Sequence, residues 1–295
     1  MSVAVIIPTY HRPEGLKLAL DSVQAQSRRP DAVIVVDNSA DATARAVVAA
    51  YQGVSYVHEP RPGVANARNA ALAATDARHI AFLDDDEIAS PHWLAALMNT
   101  AGALDAGIVF GPLTARAEAG GPVKQHLLDR LYSRMGASED TVLDKPFGCG
   151  NSLIDRSRFD LGDTPFDPAL NETGGEDDAF FHDMMDQGAR MAWSAEAWAV
   201  ECVDPGRASL RYMLARSFAF GQGPTQTCAR KPNWPGVIAW MAIGLAQLAV
   251  FAPLALVMSL VSAERAATYL DKSAQAVGKV LWFDRFAPRF YGQAG

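Results

Sequence analysis

The feature that most constrains this chain is an alternation of short apolar runs and helical stretches through its first 111 residues. Residues 2–8 (SVAVIIP), 32–36 (AVIVV), 54–58, 79–83 (HIAFL) and 107–110 are β-branched or apolar runs of buried-strand length. Residues 13–26 place Leu16, Leu20 and Val23 at helical spacing, and residues 63–74 are Ala-rich. Asp41 is expected to cap a helix reaching about residue 51, and Ser90-Pro91 reads as an N-cap followed by proline in the first turn. Pro8 is expected to end the first strand. Strand and helix in alternation predict a doubly wound α/β sheet with helices on both faces. Ligands of such sheets bind beyond the carboxyl ends of the strands, where Asp37 and Asp84 stand.

From 111 to 147 the pattern weakens to one helix over 123–135. Residues 147–154 and 190–193 read as further strands, and Gly174-Gly175-Glu176-Asp177-Asp178 opens a helix running to Gly188. The composition then changes near Arg230. No charged residue occurs from 232 to 263. The apolar run 236–262, at about 1.5 Å per residue, exceeds the roughly 30 Å hydrocarbon thickness of a bilayer. Pro253 interrupts it. Beyond it lies an amphipathic stretch with Leu270, Val277 and Leu281 on one stripe. Trp282, Phe283, Phe286, Phe290 and Tyr291 follow, mixed with Arg285 and Arg289, a composition suited to a membrane interface. Residues 1–225 are therefore expected to form a catalytic domain and 226–295 an apolar helical region that associates with membrane. Arg230 and Lys231 flank the run on one side, Arg265 and Lys272 on the other, so charge sets no orientation. A single span, a re-entrant hairpin broken at Pro253 and a buried helical pair in a soluble oligomer all remain open.

A formal net charge of -7 argues against a nucleic-acid partner. Cys149, Cys202 and Cys228 form no CxxC pair, which argues against structural zinc and for a reducing compartment. The first ten residues read as a strand rather than a signal peptide, which leaves Asn171-Glu172-Thr173 an improbable glycosylation acceptor.

Asp84-Asp85-Asp86-Glu87 follows an apolar strand. Adjacent carboxylates repel one another unless a cation or solvent relieves them. Such oxygen ligands suit Mg²⁺ or Mn²⁺ shared with substrate phosphates, although a solvated acidic turn before a helix is the plain alternative. Asp37 either caps its turn or recognises a nucleoside. Arg68 lies about one and a half turns beyond Gly63, near a helix N-terminus where an anion is favoured. The acids 176–178 either form a dipole-stabilised first helical turn or include a proton acceptor.

In this order the segments VAVIIPTYHRP, VIVVDNSADAT, RPGVANARNAAL, HIAFLDDDEI and GGEDDAFFHDMMDQG give a chain that resembles the family-2 inverting glycosyltransferases of GT-A fold over about residues 2–220. The resemblance implies a GT-A doubly wound, mixed but mostly parallel sheet. It implies transfer of one sugar from a nucleotide-diphosphate sugar, with UDP favoured, to an acceptor hydroxyl. A lipid-linked or cell-surface glycan acceptor and the cytoplasmic face of the inner (plasma) membrane would follow. Pro8, Thr9, Tyr10, Asp37, Arg68, Asp84 and Asp85 would bind the donor. Asp86, with Asp84, would hold Mg²⁺ or Mn²⁺. Asp177 would be the base, with Glu176 and Asp178 as adjacent candidates, and 148–151, notably Gly150 and Asn151, would line the acceptor side. Arg207, Arg211 and Arg216, followed by Gly221, resemble the Arg-bearing helix that often comes next. The sequence departs from the family pattern at Asp37-Asn38-Ser39, where many members carry a second acid, and it lacks the QxxRW motif of processive synthases. A non-catalytic nucleotide-sugar-binding relative, a sugar-phosphate nucleotidyltransferase and a phosphohydrolase are the competing readings. No GxGxR-type loop follows the first strand to favour the nucleotidyltransferase.

Overall fold

The computed structural model describes residues 2–117, 120–171 and 174–288. Eleven strands and nine α-helices are defined among them. In chain order the first part comprises β1 (Val3–Thr9), α1 (Pro13–Gln24), β2 (Ala32–Asp37), α2 (Arg45–Val48), β3 (Val54–His58), α3 (Val64–Ala73), β4 (His79–Phe82), β5 (Glu87–Ala89), α4 (Trp93–Ala103) and β6 (Ile108–Phe110). Then come β7 (Leu113–Arg116), α5 (Pro122–Tyr132), β8 (Thr141–Leu143), β9 (Ser152–Asp155), α6 (Glu176–Asp186), β10 (Met191–Trp193) and β11 (Ala199–Cys202). The chain ends in α7 (Leu210–Arg230), α8 (Trp234–Met258) and α9 (Ala263–Val280).

The eight-stranded sheet has the order β3-β2-β1-β4-β9-β6-β10-β8. β3, β2, β1 and β4 run parallel, β9 runs antiparallel between β4 and β6, and β10 returns parallel to β6. This is the expected mixed, mostly parallel α/β sheet. Its core follows from the period of two along each strand. Val3, Val5 and Ile7 of β1 face one side with Leu16 and Leu20 of α1 and Leu94 and Leu97 of α4. Ala4 and Ile6 face the other with Ala65, Ala67 and Ala71 of α3 and Phe180 and Phe181 of α6. Each fully buried large apolar side chain contributes roughly 1.5–3 kcal/mol by leaving water. Both faces are covered, so these strands read as continuous apolar runs rather than alternating ones.

Several local expectations change. β1 does not stop at Pro8 but runs through it to pair Thr9 with Asp37. On the other side of β1, β4 ends at Phe82, opposite Ile6, so the missing Pro8 N–H faces no partner strand. α2 has four residues and is not capped by Asp41, because Asp37 and Ser39 accept from Ala44 N and Thr43 N. α4 begins at Trp93, past Pro91, with His92 at its N-cap. Residues 147–151 form a loop ahead of β9.

Contacts divide the chain into two units, one of Met1–Thr114 and Arg134–Cys202, the other of Ala115–Ser133 and Val203–Gly295. The second unit contains α5 and α7–α9. Ser209, Asn233 and Ser262 cap α7, α8 and α9 by accepting from Tyr212 N, Gly236 N and Arg265 N. Thr225, Gln222 and Gln226 of α7 donate to the carbonyls of Lys279, Leu281 and Trp282, which satisfies the C-terminal end of α9. Pro253 does not break the apolar run. α8 continues through it to Met258. The tail residues Arg289, Phe290 and Tyr291, like Glu172 and Thr173, lie outside the described residues.

Candidate active site

The parallel strands deliver the acidic loop 84–87 beyond the carboxyl end of β4, beside the end of β1. Asp85 is buried and turns toward β1. Its Oδ2 accepts from Thr9 Oγ1 at 2.7 Å and from Tyr10 N at 3.3 Å. Arg12 Nη1 donates to Asp85 Oδ1 at 3.2 Å and to Asp86 Oδ2 at 2.6 Å. Thr9 and Asp85 thus join the two strand ends, whereas Tyr10 is exposed and Pro8 is buried within β1. Burial pushes the Asp85 carboxyl up to about 6 despite Arg12.

Asp84 opens to solvent on one side, its side chain 35% exposed, while protein surrounds it on the others. Arg68 reaches it from α3, with Nη2 3.5 Å from Asp84 Oδ1, and donates Nη1 to Glu176 Oε1 at 2.9 Å. Burial raises the Asp84 carboxyl, Asp86 and Asp177 add to that rise, and Arg68 opposes it. For Arg68, burial alone would lower the pKa, yet Asp84, Glu176 and Asp177 among its neighbours outweigh it and raise it. Arg68 Nε is buried without a hydrogen-bond partner among the described residues.

Of the acids that open α6, Glu176 is buried and occupied by Arg68, and Asp178 is exposed. Burial, then Asp177, pushes both upward in pKa. Asp177 points instead to the loop before β9: its Oδ2 lies 3.4 Å from Cys149 N. A Cβ on Gly148 would stand 3.2 Å from that same oxygen. The same loop meets the acidic cluster, since a Cβ on Gly150 would collide with Glu87 Oε1 and lie 2.7 Å from Asp84 Oδ2. Gly150 therefore lets the backbone pass between the two acid groups. Four elements thereby bring Arg68, Asp84, Glu176, Asp177 and Gly150 together.

Two further residues belong to this assembly: Glu87, read from sequence only as the last member of the acidic cluster, and Arg134, which the sequence did not single out. Glu87, on β5, is buried and accepts from Asp84 N at 3.1 Å. Burial, then Asp84, raises its carboxyl well above the ordinary range. Arg134 donates to Gly111 O at 2.9 Å, Gly148 O at 3.0 Å, Gly150 O at 2.7 Å and Asn151 O at 3.0 Å. Burial pulls its pKa down to about 10 while Glu87 and Asp84 oppose that fall. Arg134 therefore clamps the loop that borders both acid groups.

Three expected ligand contacts are not presented to a ligand. Asp37 is fully buried. Its Oδ1 accepts from Ser39 N at 3.0 Å and Ser39 Oγ at 2.6 Å, and its Oδ2 from Ala44 N at 2.7 Å and Tyr56 OH at 3.0 Å. These fill the roughly four lone-pair sites of a carboxylate. Burial alone would raise its pKa, but the donors from Ser39, Ala44 and Tyr56 hold it below the usual range. Asn151 is buried with its side chain committed to Trp93 Nε1, Pro112 O and Ala197 O, so only its backbone borders the loop surface. The N-terminus of α3 is not free for a phosphate, because Asn171 Oδ1 accepts from Ala65 N at 2.9 Å. Asn38, at the departure from the family's acidic pair, donates to Glu59 O and Arg61 O and accepts from Gly63 N, tying β2 to the loop before α3. In the second unit, Arg207 and Arg216 stack on the Tyr132 ring at 5.2 and 5.1 Å, and Gly221 packs against Gln275 inside the helical layer.

The donor set fits a divalent cation. Asp84, Asp85, Asp86, Glu87, Glu176 and Asp177 face three guanidiniums, those of Arg12, Arg68 and Arg134, which leaves an excess of carboxylates. Among the described residues no group of three or more ligand side chains stands as a ready cage. A Mg²⁺-type ion held by one or two carboxylates and completed by phosphates needs none. A cavity of about 360 Å³ lined by Asp160, Phe180, Asp183 and Met184 among others includes none of these residues.

Comparison with known proteins agrees with this architecture. The chain is 32% identical over 240 residues to the succinoglycan biosynthesis protein ExoM of Rhizobium meliloti (strain 1021), covering 79% of this chain and 77% of that one. It is 26% identical over 239 residues to the pre-mycofactocin glycosyltransferase of Mycobacterium tuberculosis, covering 78% of this chain and 48% of the relative. The crystal structure of S. aureus TarS 1-349 superposes with a TM-score of 0.54 at 15% identity, covering 94% of this chain and 90% of that one, a likeness of fold. Residues 4–161 match the sequence profile of Glycosyl transferase family 2, and the chain belongs to that family.

Proposed function

We propose that this chain transfers one sugar, with inversion, from a nucleotide-diphosphate sugar to an acceptor hydroxyl, with a UDP-sugar as the expected donor. The observation that carries this reading is the junction of Arg68, Asp84 and Asp177 across the loop at Gly148 and Gly150. Asp86 and Asp84 would hold Mg²⁺ or Mn²⁺. The bound ion supplies positive charge that offsets the charge developing on the leaving diphosphate. Arg68 adds a fixed cation on the same side, and Thr9 and Tyr10 border the donor end of β1.

The direction of its side chain supports Asp177 as the base. Glu176 is occupied by Arg68 and Asp178 is exposed, whereas Asp177 projects toward the loop opposite Asp84. Asp177 takes the acceptor hydroxyl proton as the oxygen forms its bond to the anomeric carbon. The bond from that carbon to the diphosphate breaks on the opposite face, and the nucleoside diphosphate departs with the bonding electrons. Holding both substrates in line supplies a further share of the rate.

The likeness to ExoM supports a role in polysaccharide biosynthesis, and the proposed acceptor is a lipid-linked or cell-surface glycan. The apolar α8 supports association with a membrane, and action at the cytoplasmic face of the inner membrane is part of this proposal. Asp177→Asn should abolish transfer while a calorimetric titration with donor and Mn²⁺ returns the wild-type affinity. Equal loss of binding and turnover would remove the base role from Asp177.

A further inference from the structure

α8 is apolar on all sides, but among the described residues protein covers only one stripe of it, α9 along its length with α7 beside its start. Its buried positions are Val237, Gly244 and Ala255, which fall on one stripe. α9 runs antiparallel along that stripe. A Cβ on Gly244 would lie 2.8 Å from Ala276 O and 2.9 Å from Lys279 Cβ. One end further on, Phe251 stacks on Tyr269 at 5.9 Å and carries Lys272 Nζ 5.2 Å over its ring. The remaining circumference exposes Ile238, Ile243, Leu245, Val250, Leu256 and Val257. Only 11% of its most apolar window is buried.

The length of α8, 25 residues, would allow it to cross a bilayer, but its partner forbids that pose. α9 lies beside it and carries Glu264, Arg265, Asp271, Lys272 and Lys279. Asp271 is buried and bound to Arg130 of α5 at 2.7 Å, and Thr225 and Gln222 of α7 bond the carbonyls at the end of α9. Standing α8 upright in hydrocarbon would carry this charged layer in with it, at strongly unfavourable cost. Laying α8 flat keeps α9 on the water side and turns every exposed apolar residue of α8 toward acyl chains.

The ends of α8 identify the surface. Arg230 and Lys231 precede the exposed Trp234, while Arg265 and Lys272 lie near the other end, where Glu264 offsets one of them and Asp271 is paired with Arg130. Past α9, the exposed Phe283 and Phe286 pack with Arg285. Cations and aromatic rings around an apolar centre match anionic headgroups over acyl chains. A second copy pairing through α8 would bring like charges together in either direction, because both ends are basic. Resting on the membrane association proposed above, we infer that α8 lies in the plane of one anionic phospholipid leaflet, docking the chain without crossing it.

The test uses the full chain, with Cys202 and Cys228 replaced by Ser and a thiol-linked fluorophore placed singly by Ile238→Cys, Leu245→Cys or Leu256→Cys. Vesicles of phosphatidylcholine and phosphatidylglycerol carry brominated lipids at known depths. The in-plane pose predicts one common depth for the three probes, roughly 5–10 Å into the headgroup–acyl boundary. Leu245→Glu should weaken vesicle binding at least tenfold and leave donor turnover in solution unchanged. A depth gradient approaching the roughly 27 Å that separates positions 238 and 256 along a helix would overturn the pose in favour of a crossing or re-entrant helix. Absence of vesicle binding would instead remove the membrane association itself. A dimer abolished by Leu245→Glu without vesicle binding would assign the face to a second copy.

Discussion

Asp37 and Asp84 both stand at strand ends, yet their surroundings give them opposite properties. Asp37 is sealed by four donors, and Asp84 is open to solvent beside other acids. Asp37→Asn should leave at least one buried donor without an acceptor, at a cost of about 1–3 kcal/mol at pH 7. The folded pKa of Asp37 lies below its ordinary 3.8, so its contribution is complete above pH 3.8 and is lost as pH falls through the folded value. Urea unfolding should accordingly show the gap between wild type and Asp37→Asn narrowing below that pH. Gly150→Ala tests the other aspartate. The added methyl has no room beside Asp84 and Glu87, and displacing those carboxylates should lower turnover on the order of a hundredfold in a donor-turnover assay. The acids at 84–86 and 176–178 are visible in sequence, but their separate tasks are not. Those tasks depend on which oxygen meets Arg12, Arg68 or the loop backbone.

At the scale of elements, the strands on either side of β1 were legible because burial on both faces leaves uninterrupted β-branched runs. The short strands β5, β7, β8 and β11 were not: three or four residues carry no period, and unlike the equally short β6 and β10 they include polar or half-exposed residues that break the apolar run. Arg134 was hidden for a related reason: its partners are carbonyls of Gly111, Gly148, Gly150 and Asn151, and a carbonyl leaves no mark in sequence. Lysine at this position cannot reproduce the planar fork. Arg134→Lys should therefore loosen the 148–151 loop and reduce kcat by about tenfold or more, with donor affinity measured by titration little changed. A matching fall in affinity would mean that the loop serves donor binding rather than alignment. α8 runs through Pro253, although an interior proline removes one backbone hydrogen bond and usually kinks or breaks a helix, so the position of a proline alone did not mark an element boundary.

At the scale of the whole molecule, the sheet gathers carboxylates at the carboxyl ends of its strands, where the proposed reaction expels a charged diphosphate. The excess of carboxylates over guanidiniums predicts that donor turnover is lost with chelator and restored by Mn²⁺ or Mg²⁺. UDP with Mn²⁺ should raise the thermal midpoint more than UDP alone. Beneath these effects lies the claim of direct displacement at the anomeric carbon. Proton NMR of the sugar first released from an α-linked UDP-sugar, with water as acceptor, tests it most directly. The expected product is the β-anomer before mutarotation, with none from Asp177→Asn; initial release of the α-anomer would contradict direct displacement.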